Sequence, residues 1–261
     1  MTINWHYETV SVTESTNSDL LNRWHHHTLI EPTSYIALEQ TSGRGRRGNQ
    51  WISQKNQSLT FSLAYPFANH VSMMQLQGLS LACGLSIIQC ICQFLQLSSS
   101  HAKALGLGLK WPNDLLIGDG KFGGILVEGG QKSIQDPIWM VIGVGLNIDI
   151  PNQTTNHLKT TNLTEINFNH LSLDTDTLWR ELTMNLGHTL EVFSESGFEV
   201  FKDAWNEWDL WQNHTVVLHQ ESTKMYQGKN LGVNQKGYLL LDTPLGMKEI
   251  SSGDLSLSKE N

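Results

Sequence analysis

Cysteine is scarce in this chain, and long apolar runs and an excess of basic residues are absent. The cysteines are Cys83, Cys90 and Cys92, all within one apolar segment. That spacing fits neither a disulfide framework nor a CxxC metal site, so we expect reduced thiols in the core. No apolar run is long enough to span a membrane, and the N-terminus lacks a basic start followed by an apolar stretch. We therefore expect a soluble, cytoplasmic protein without a membrane partner.

The charge balance argues against a second class of partner. Lys and Arg number 17 against 25 Asp and Glu, which gives a net charge of −8. A general binder of nucleic acid or of anionic membranes needs a broad positive field, so neither is expected. A local basic loop is compatible with that balance. Residues His25, His26 and His27 are consecutive and share no single face, so no metal site is expected there.

The residues that are present predict a folded protein with helices and strands. Apolar residues make up 39% and charged residues 16% of the 261 residues, enough for one large domain and a small one. Periodicity predicts helices over residues 15–27, 73–97, 174–193 and 198–210. It predicts strands over residues 34–40, 58–65, 108–111, 115–117, 124–128 and 138–148, with a hairpin at the GDG turn and a surface loop over 149–169. Short β-patterned pieces follow, so we expect domains of 1–211 and 212–261.

The loop GRGRRG, residues 43–48, is the most informative stretch. Arg44, Arg46 and Arg47 repel one another, and the glycines keep them out of a stable helix or strand. Glycines let the backbone approach a phosphate closely, while arginines supply fork-shaped donors. The loop therefore indicates a site for a phosphate or carboxylate. The alternatives are a solvated basic loop or an RNA contact.

The segment KWPNDLLI, residues 110–117, places a lysine at the end of a strand before a turn. There the ammonium of Lys110 can meet a developing negative charge. Asn113 and Asp114 offer oxygens suited to a magnesium ion or to water. The alternative is that WPND is merely a turn and Lys110 a solubilising residue at a strand edge.

Two further patterns can each be explained without a ligand. Gly143 and Gly145 interrupt a buried strand, which indicates close approach either of a ligand or of another part of the backbone. The polar trio of residues 15–17 lies at the start of a helix, where exposed N–H groups can bind a small polar ligand. Plain helix capping is the commoner reason for such a trio.

Taken in order, these motifs resemble the biotin protein ligase family. The motifs are STN at residues 15–17, EQTSGRGRRG at 39–48 before Trp51, KWPNDLLI at 110–117, KFGGILVE at 121–128 and VIGVGLN at 141–147. The resemblance implies an α+β fold with a mixed central sheet and flanking helices, like that of class II synthetases, plus a small C-terminal β-barrel. It implies an enzyme that activates biotin with ATP and Mg²⁺, then transfers it to a lysine of a biotin carboxyl carrier protein.

The same resemblance assigns roles by position. For biotin it implies Ser15, Thr16, Asn17, Gln40, Arg44, Gly45, Arg46 and Lys110, of which Arg44, Arg46 and Lys110 would be catalytic. For ATP and the adenylate it implies Arg46, Arg47, Trp51, Asn113, Gly143, Gly145 and Asn147. No protein-held metal is implied. Some relatives dimerise, so a homodimer is compatible with the resemblance.

Two departures from the family pattern and two rival functions stay open. Only 14 residues precede Ser15, so we expect the monofunctional type, without a DNA-binding domain. Asn49 stands where close relatives often have a basic residue, and residues 154–162 lack an obvious aromatic to cover the adenine, so adenylate affinity is expected to differ. The rivals are a lipoate or octanoate ligase, whose pocket would be a longer apolar tunnel, and a nonenzymatic RNA-binding module, which leaves KWPND unexplained.

Overall fold

A mixed sheet of nine strands forms the larger part of the computed structural model, which describes residues 3–150, 154–155, 158–166, 173–220, 223–251 and 255–259. In chain order the strands are β1 (His6–Thr13), β2 (Thr33–Gln40), β3 (Ser58–Phe67), β4 (Leu107–Lys110), β5 (Asp114–Ile117), β6 (Gly120–Gly130), β7 (Ile138–Asn147), β8 (Thr154–Thr155) and β9 (Leu158–Thr160). They are ordered β1-β2-β3-β7-β6-β5-β4, with β9 beside β6 and β8 beside β9. The pairs β1–β2 and β6–β9 are parallel and the rest antiparallel, which confirms the mixed central sheet.

Helices cover both faces of this sheet. They are α1 (Thr16–His25), α2 (Leu79–Phe94), α3 (Ser99–Ala104), α4 (Thr175–Ser196) and α5 (Lys202–Trp208), with 3-10 turns at Arg46–Gly48, Met73–Leu76, Leu163–Ile166 and Glu199–Phe201. Alternate residues of a strand face opposite sides. Leu63 and Ile142 accordingly join the main core with α2 and α4, whereas Ala64 and Val141 pack with Leu20 of α1 on the other face.

Two predicted helices are shorter than their patterns indicated. The helix predicted over residues 73–97 is divided, because Gly78 lies between the 3-10 turn and α2 with φ of 81°. A Cβ at Gly78 would lie 2.7 Å from Cγ of Phe198, so this bend allows close packing of the segment that follows α4. That following segment, predicted as helix over 198–210, begins as a 3-10 turn and becomes α-helical only in α5.

One segment passes the length and hydropathy test for a membrane span. It is Met73–Phe94, with a mean hydropathy of 1.4, but 72% of its most apolar window is buried inside the fold. Cys83, Cys90 and Cys92 lie within it as buried, free thiols, as the sequence predicted. A core helix of a folded protein has these same properties.

The residues that follow α5 form a second sheet, called here the C-terminal sheet. Its strands are β10 (Thr215–Gln220), β11 (Thr223–Val233), β12 (Leu239–Thr243), β13 (Gly246–Ile250) and β14 (Leu255–Lys259), in the order β13-β12-β11-β10-β14. The prediction of a barrel is wrong for the described residues, because their pairings leave β13 and β14 as edges. Val216, Leu218 and Leu241 explain the open shape, since they pack into the main core instead of enclosing a separate one.

Polar contacts bind the C-terminal sheet to the larger part of the fold. The indole Nε1 of Trp111 donates to the carbonyl of Gly237 at 3.1 Å. The hydroxyl of Tyr238 donates to Oε1 of Gln77 at 2.7 Å. Asn206 of α5 exchanges two hydrogen bonds with the backbone of Val233. The division of the chain at residue 211 stays a prediction, and these contacts make the two parts adjoin closely.

Candidate active site

A cavity of about 210 Å³ lies where the start of α1 meets the central strands β3, β6 and β7. The structure brings thirteen of the fourteen predicted site residues to its walls. They are Ser15, Thr16, Asn17, Gln40, Arg44, Gly45, Arg46, Arg47, Trp51, Lys110, Asn113, Gly143 and Gly145. Asn147 does not line the cavity, because its buried amide faces away and donates to the carbonyl of Thr161 at 3.1 Å.

A chain of buried hydrogen bonds forms one polar wall. Ser62 Oγ donates to Oδ1 of Asn17 at 2.6 Å, and Thr16 Oγ1 lies 2.7 Å from Ser62 Oγ. Each hydroxyl has a single proton, so Thr16 donates to Ser62 when Ser62 donates to Asn17. The backbone N–H of Thr16 donates to Oε1 of Gln40 at 2.8 Å, which turns the Gln40 amide toward the same wall. Ser15 caps α1 by accepting from the N–H of Ser18.

Glu128 of β6 joins this wall to the arginine loop, defined as residues 43–50. Its Oε2 accepts from Nδ2 of Asn17 at 3.0 Å and from Nη2 of Arg44 at 2.5 Å. One carboxylate oxygen thus holds both the first turn of α1 and the loop. Neither Glu128 nor Ser62 was identified from the sequence, because only the folded sheet brings them beside residues 15–17.

The arginine loop lies over the cavity on few contacts. Arg44 pairs with Gln50 in an isolated bridge, and the N–H of Trp51 donates to Gly43 at 2.8 Å. Arg46 Nη1 donates to Oδ1 of Asn113 at 3.4 Å. Arg47 has φ of 61°, which non-glycine residues adopt uncommonly. The guanidinium groups of Arg44, Arg46 and Arg47 thus all lie at the wall of the cavity.

Two lysines, on the strands β4 and β6 that flank β5, share the buried carboxylate of Asp114 on β5. Lys110 Nζ lies 3.4 Å from Oδ2 of Asp114, and Lys121 Nζ lies 2.5 Å from Oδ1. Burial lowers the pKa of Lys110 below its ordinary value; Asp114 opposes this shift and Lys121 reinforces it. Burial alone would raise the pKa of Asp114, but Lys121 and Lys110 outweigh it and hold that pKa low. Two ammoniums against one carboxylate leave a net positive charge beside the cavity.

Within the fold, the oxygens of Asn113 and Asp114, which the sequence suggested could suit a magnesium ion or water, contact cationic side chains. Both Asp114 oxygens face ammonium groups, and the Asn113 amide donates to the carbonyl of Ile125 at 2.9 Å. Among the residues that the structure describes, no three His, Cys, Asp or Glu side chains cluster as a metal site would require. Lys121 lines the same cavity but was not identified from the sequence. Its position directly after the predicted GDG turn was the signal that could have indicated it.

The glycines of β7 permit close packing in the cavity wall. A Cβ at Gly143 would lie 2.3 Å from Oδ1 of Asn17, and one at Gly145 would lie 2.4 Å from Cε2 of Trp51. Real Cβ contacts are essentially never so short, so a side chain at either position would force Asn17 or Trp51 to move. The buried Nε1 of Trp51 has no hydrogen-bond partner within the described part of the chain.

Comparisons with known proteins agree with this fold and cavity. Residues 9–147 match the biotin/lipoate A/B protein ligase family. The chain is 31% identical to the bifunctional ligase/repressor BirA of Escherichia coli over 94% of this chain and 72% of that protein. The chain belongs to the biotin/lipoate A/B protein ligase family.

Particular members of that family resemble the chain further. A biotin--[acetyl-CoA-carboxylase] ligase of Mycobacterium tuberculosis is 35% identical over 54% of this chain and 48% of that protein. The biotin protein ligase of Aquifex aeolicus, solved with biotin and ATP, superimposes with a TM-score of 0.74 and 27% identity over 98% of both chains.

Proposed function

We propose that the chain activates biotin with ATP to biotinyl-5'-AMP and transfers the biotinyl group to a lysine of a biotin carboxyl carrier domain. The observation that carries this proposal is the pairing, in one cavity, of a polar wall at α1 with five cationic side chains, Arg44, Arg46, Arg47, Lys110 and Lys121. Relatives named as biotin ligases supply the identity of the acid. The geometry supplies the reason for the nucleotide.

The polar wall suits the ureido ring of biotin. A ureido group presents one acceptor and two N–H donors. The second lone pair of Asn17 Oδ1 can accept from a ureido N–H, and the amide N–H₂ of Gln40 can donate to the ureido oxygen. A lipoate ring has neither kind of group, so it would gain no hydrogen bond from the second lone pair of Asn17 Oδ1 or from the Gln40 amide. The lipoate alternative is therefore disfavoured by the wall as well as by the relatives.

The cations suit the adenylation step. The carboxylate of biotin attacks the α-phosphorus of Mg-ATP, an oxygen–phosphorus bond forms, and pyrophosphate leaves with the electron pair of the broken bond. Negative charge accumulates on the phosphate oxygens in the transition state, where fixed ammonium and guanidinium groups stabilise it most. Lys110 supplies a buried charge, Lys121 a partly buried one, and Arg44 and Arg46 supply charge from the loop. The magnesium ion enters with the nucleotide phosphates.

The second step needs no nucleophile from the enzyme. The acceptor's lysine amine attacks the carbonyl of the mixed anhydride, an amide bond forms, and AMP leaves. Until then the adenylate has to be shielded from water. The arginine loop covers the opening, and Glu128 holds it there through Arg44. Trp51, with its unpaired indole N–H, forms the wall on the nucleotide side.

Cell compartment and assembly follow as parts of the same proposal. A net charge of −8 and buried, reduced cysteines support a cytoplasmic enzyme that does not bind DNA or a membrane. The outer strand β1, with much of its length exposed, is compatible with a homodimer. Size measurement in solution at several concentrations tests the last point.

Transfer of biotin to a carrier domain tests the function. Wild type is incubated with ATP and the carrier domain, with biotin or lipoate as the acid. Variants Lys110→Ala and Arg44→Ala are compared with Arg180→Ala, an exposed arginine paired with Asp176 on α4, away from the cavity. We expect wild type and Arg180→Ala to attach biotin alone, and both cavity variants to be impaired. Preference for lipoate, or no transfer by folded wild type, would contradict the proposal.

A further inference from the structure

The segment between α5 and the C-terminal sheet reaches the buried lysine of the active site. The indole ring of Trp211 lies over Lys110, with Nζ 4.8 Å from the ring centroid. The Lys110 side chain is 8% exposed. A cation so far removed from water gains more from the face of a tryptophan than an exposed one does. Trp211 was assigned no role by the motifs.

The second partner of Lys110 is shared, which makes the ring contact important. Asp114 lies 3.4 Å from Lys110 but 2.5 Å from Lys121, so its carboxylate favours the other lysine. The charged groups that act on Lys110 from β5 and β6 are therefore one divided carboxylate and one repelling ammonium. Among the described contacts of Lys110, the Trp211 ring is a favourable one that Lys121 does not share.

The position of the ring is set by the backbone that carries it. The N–H of Leu210 donates to the carbonyl of Leu109 at 3.0 Å, and Asp209 pairs with Leu109, so the segment lies along the strand that ends in Lys110. Gly108 permits this approach, because a Cβ there would lie 2.5 Å from Cγ of Leu210.

The Asp209 carboxylate ties the same segment to the C-terminal sheet. One oxygen accepts from the N–H of Trp211 at 3.0 Å and the other from Nδ2 of Asn230, on β11, at 2.8 Å. Asn230 in turn bonds the backbone of Asn213 and His214. The C-terminal sheet thus fixes Trp211 through buried hydrogen bonds.

We infer that Trp211 is a positioning residue that keeps the Lys110 ammonium charged and in place for adenylation, and that the C-terminal sheet contributes to catalysis by holding this ring. The inference rests on the proposed biotin adenylation. Removal of the ring favours the neutral amine, so an active enzyme loses activity at lower pH on the alkaline side. Burial raises the pKa of the Asp209 carboxyl to about 6, so this group titrates below the alkaline range and does not contribute to the alkaline limb.

Biotin-dependent exchange of pyrophosphate into ATP, measured from pH 7 to pH 10, tests the inference. For Trp211→Leu we expect the alkaline limb of kcat to move down by about one pH unit. Trp211→Phe keeps a weaker ring and should move it by less than half as much. The control Trp208→Leu removes an indole that covers Lys103 at 4.9 Å, outside the cavity, and should leave the limb in place.

The outcomes separate the two proposals. Exchange absent from folded wild type contradicts the proposed function. If wild type is active but the alkaline limbs of Trp211→Phe and Trp211→Leu coincide with each other, only the role of Trp211 is overturned. The same follows if Trp208→Leu moves the limb as far as Trp211→Leu does. Should Trp211→Leu not fold, wild type against Trp211→Phe carries the test, and an unmoved limb overturns the inference.

Discussion

The arginine loop and the strands β4 to β6 both bring cationic side chains to one cavity, but they differ in how far those side chains are buried and held. Lys110 is buried, paired with Asp114 and covered by Trp211, whereas Arg44 is 41% exposed and held by a single carboxylate. A buried charge is fixed before substrate arrives, and its removal leaves other buried groups unpaired. An exposed charge acts by closing over the ligand. The difference teaches that similar charges in one site can carry separable duties, one in stabilising the reaction and one in retaining the intermediate.

The largest effect is expected from Lys110→Met. Loss of this fixed ammonium should lower the rate of biotin-dependent pyrophosphate exchange by about a thousand-fold, because charge on the phosphate is no longer offset. Lys103→Met is the matched control, since Lys103 also covers a tryptophan ring but lies outside the cavity. Equal rates for the two variants would remove the distinction between buried and exposed cations.

Asp209→Asn tests the electrostatics of the buried side. Burial raises the pKa of Asp209 to about 6, above its ordinary value of 3.8, so the folded state binds the proton more tightly than the unfolded state. Wild type should therefore gain stability relative to Asp209→Asn as pH falls from 7 to 4, by up to about 3 kcal/mol. Urea unfolding at pH 4, 5, 6 and 7 measures this. A difference independent of pH would contradict it.

Gly143→Ala tests the packing between β7 and α1. The added methyl group would displace the Asn17 amide, which it approaches to 2.3 Å, and a misplacement of that size should raise KM for biotin by about thirty-fold or more. Gly130→Ala is the control on the neighbouring strand β6, where the nearest contact is 3.6 Å, to Trp24. Unchanged KM in Gly143→Ala would show that Asn17 does not bind the acid.

Arg44→Ala should have the smallest effect, confined to activity. We expect adenylate formation to fall by about ten-fold and hydrolysis of bound adenylate to rise, because Glu128 then loses its hold on the loop. The free energy of unfolding should change by less than about 0.5 kcal/mol, as is common for exposed pairs. Single-turnover assays with denaturant curves measure both. A large loss of stability would place Arg44 with the buried cations.

The sequence predicted the fold better than it predicted the residues that hold the site's side chains in place. The strands of the hairpin and α4 followed from local pattern, and thirteen of the fourteen predicted site residues line the cavity. The strand β1 was missed although HYETVSVT alternates, and its pairing with β2 depends on α1 between them.

What the sequence could not indicate depends on contacts between distant segments. Glu128 meets Arg44 across 84 positions of chain, and Trp211, the last residue of the predicted first domain, covers Lys110 at the end of β4. Asn147 was assigned to the cavity by its motif, but its side chain faces Thr161. Periodicity reveals which residues face a core, and it does not reveal which distant residue shares a carboxylate or covers an amine.

The junction at residue 211 has a consequence for dividing the chain. Fragments 1–211 and 212–261 would each carry buried groups whose partners lie on the other: the Trp111 indole and the Asp209 carboxylate on one, the Gly237 carbonyl and the Asn230 amide on the other. Unsatisfied buried groups are costly alone and matched together. Such fragments are suited to reconstitution, and adenylation would then report that two separately synthesised polypeptides had met.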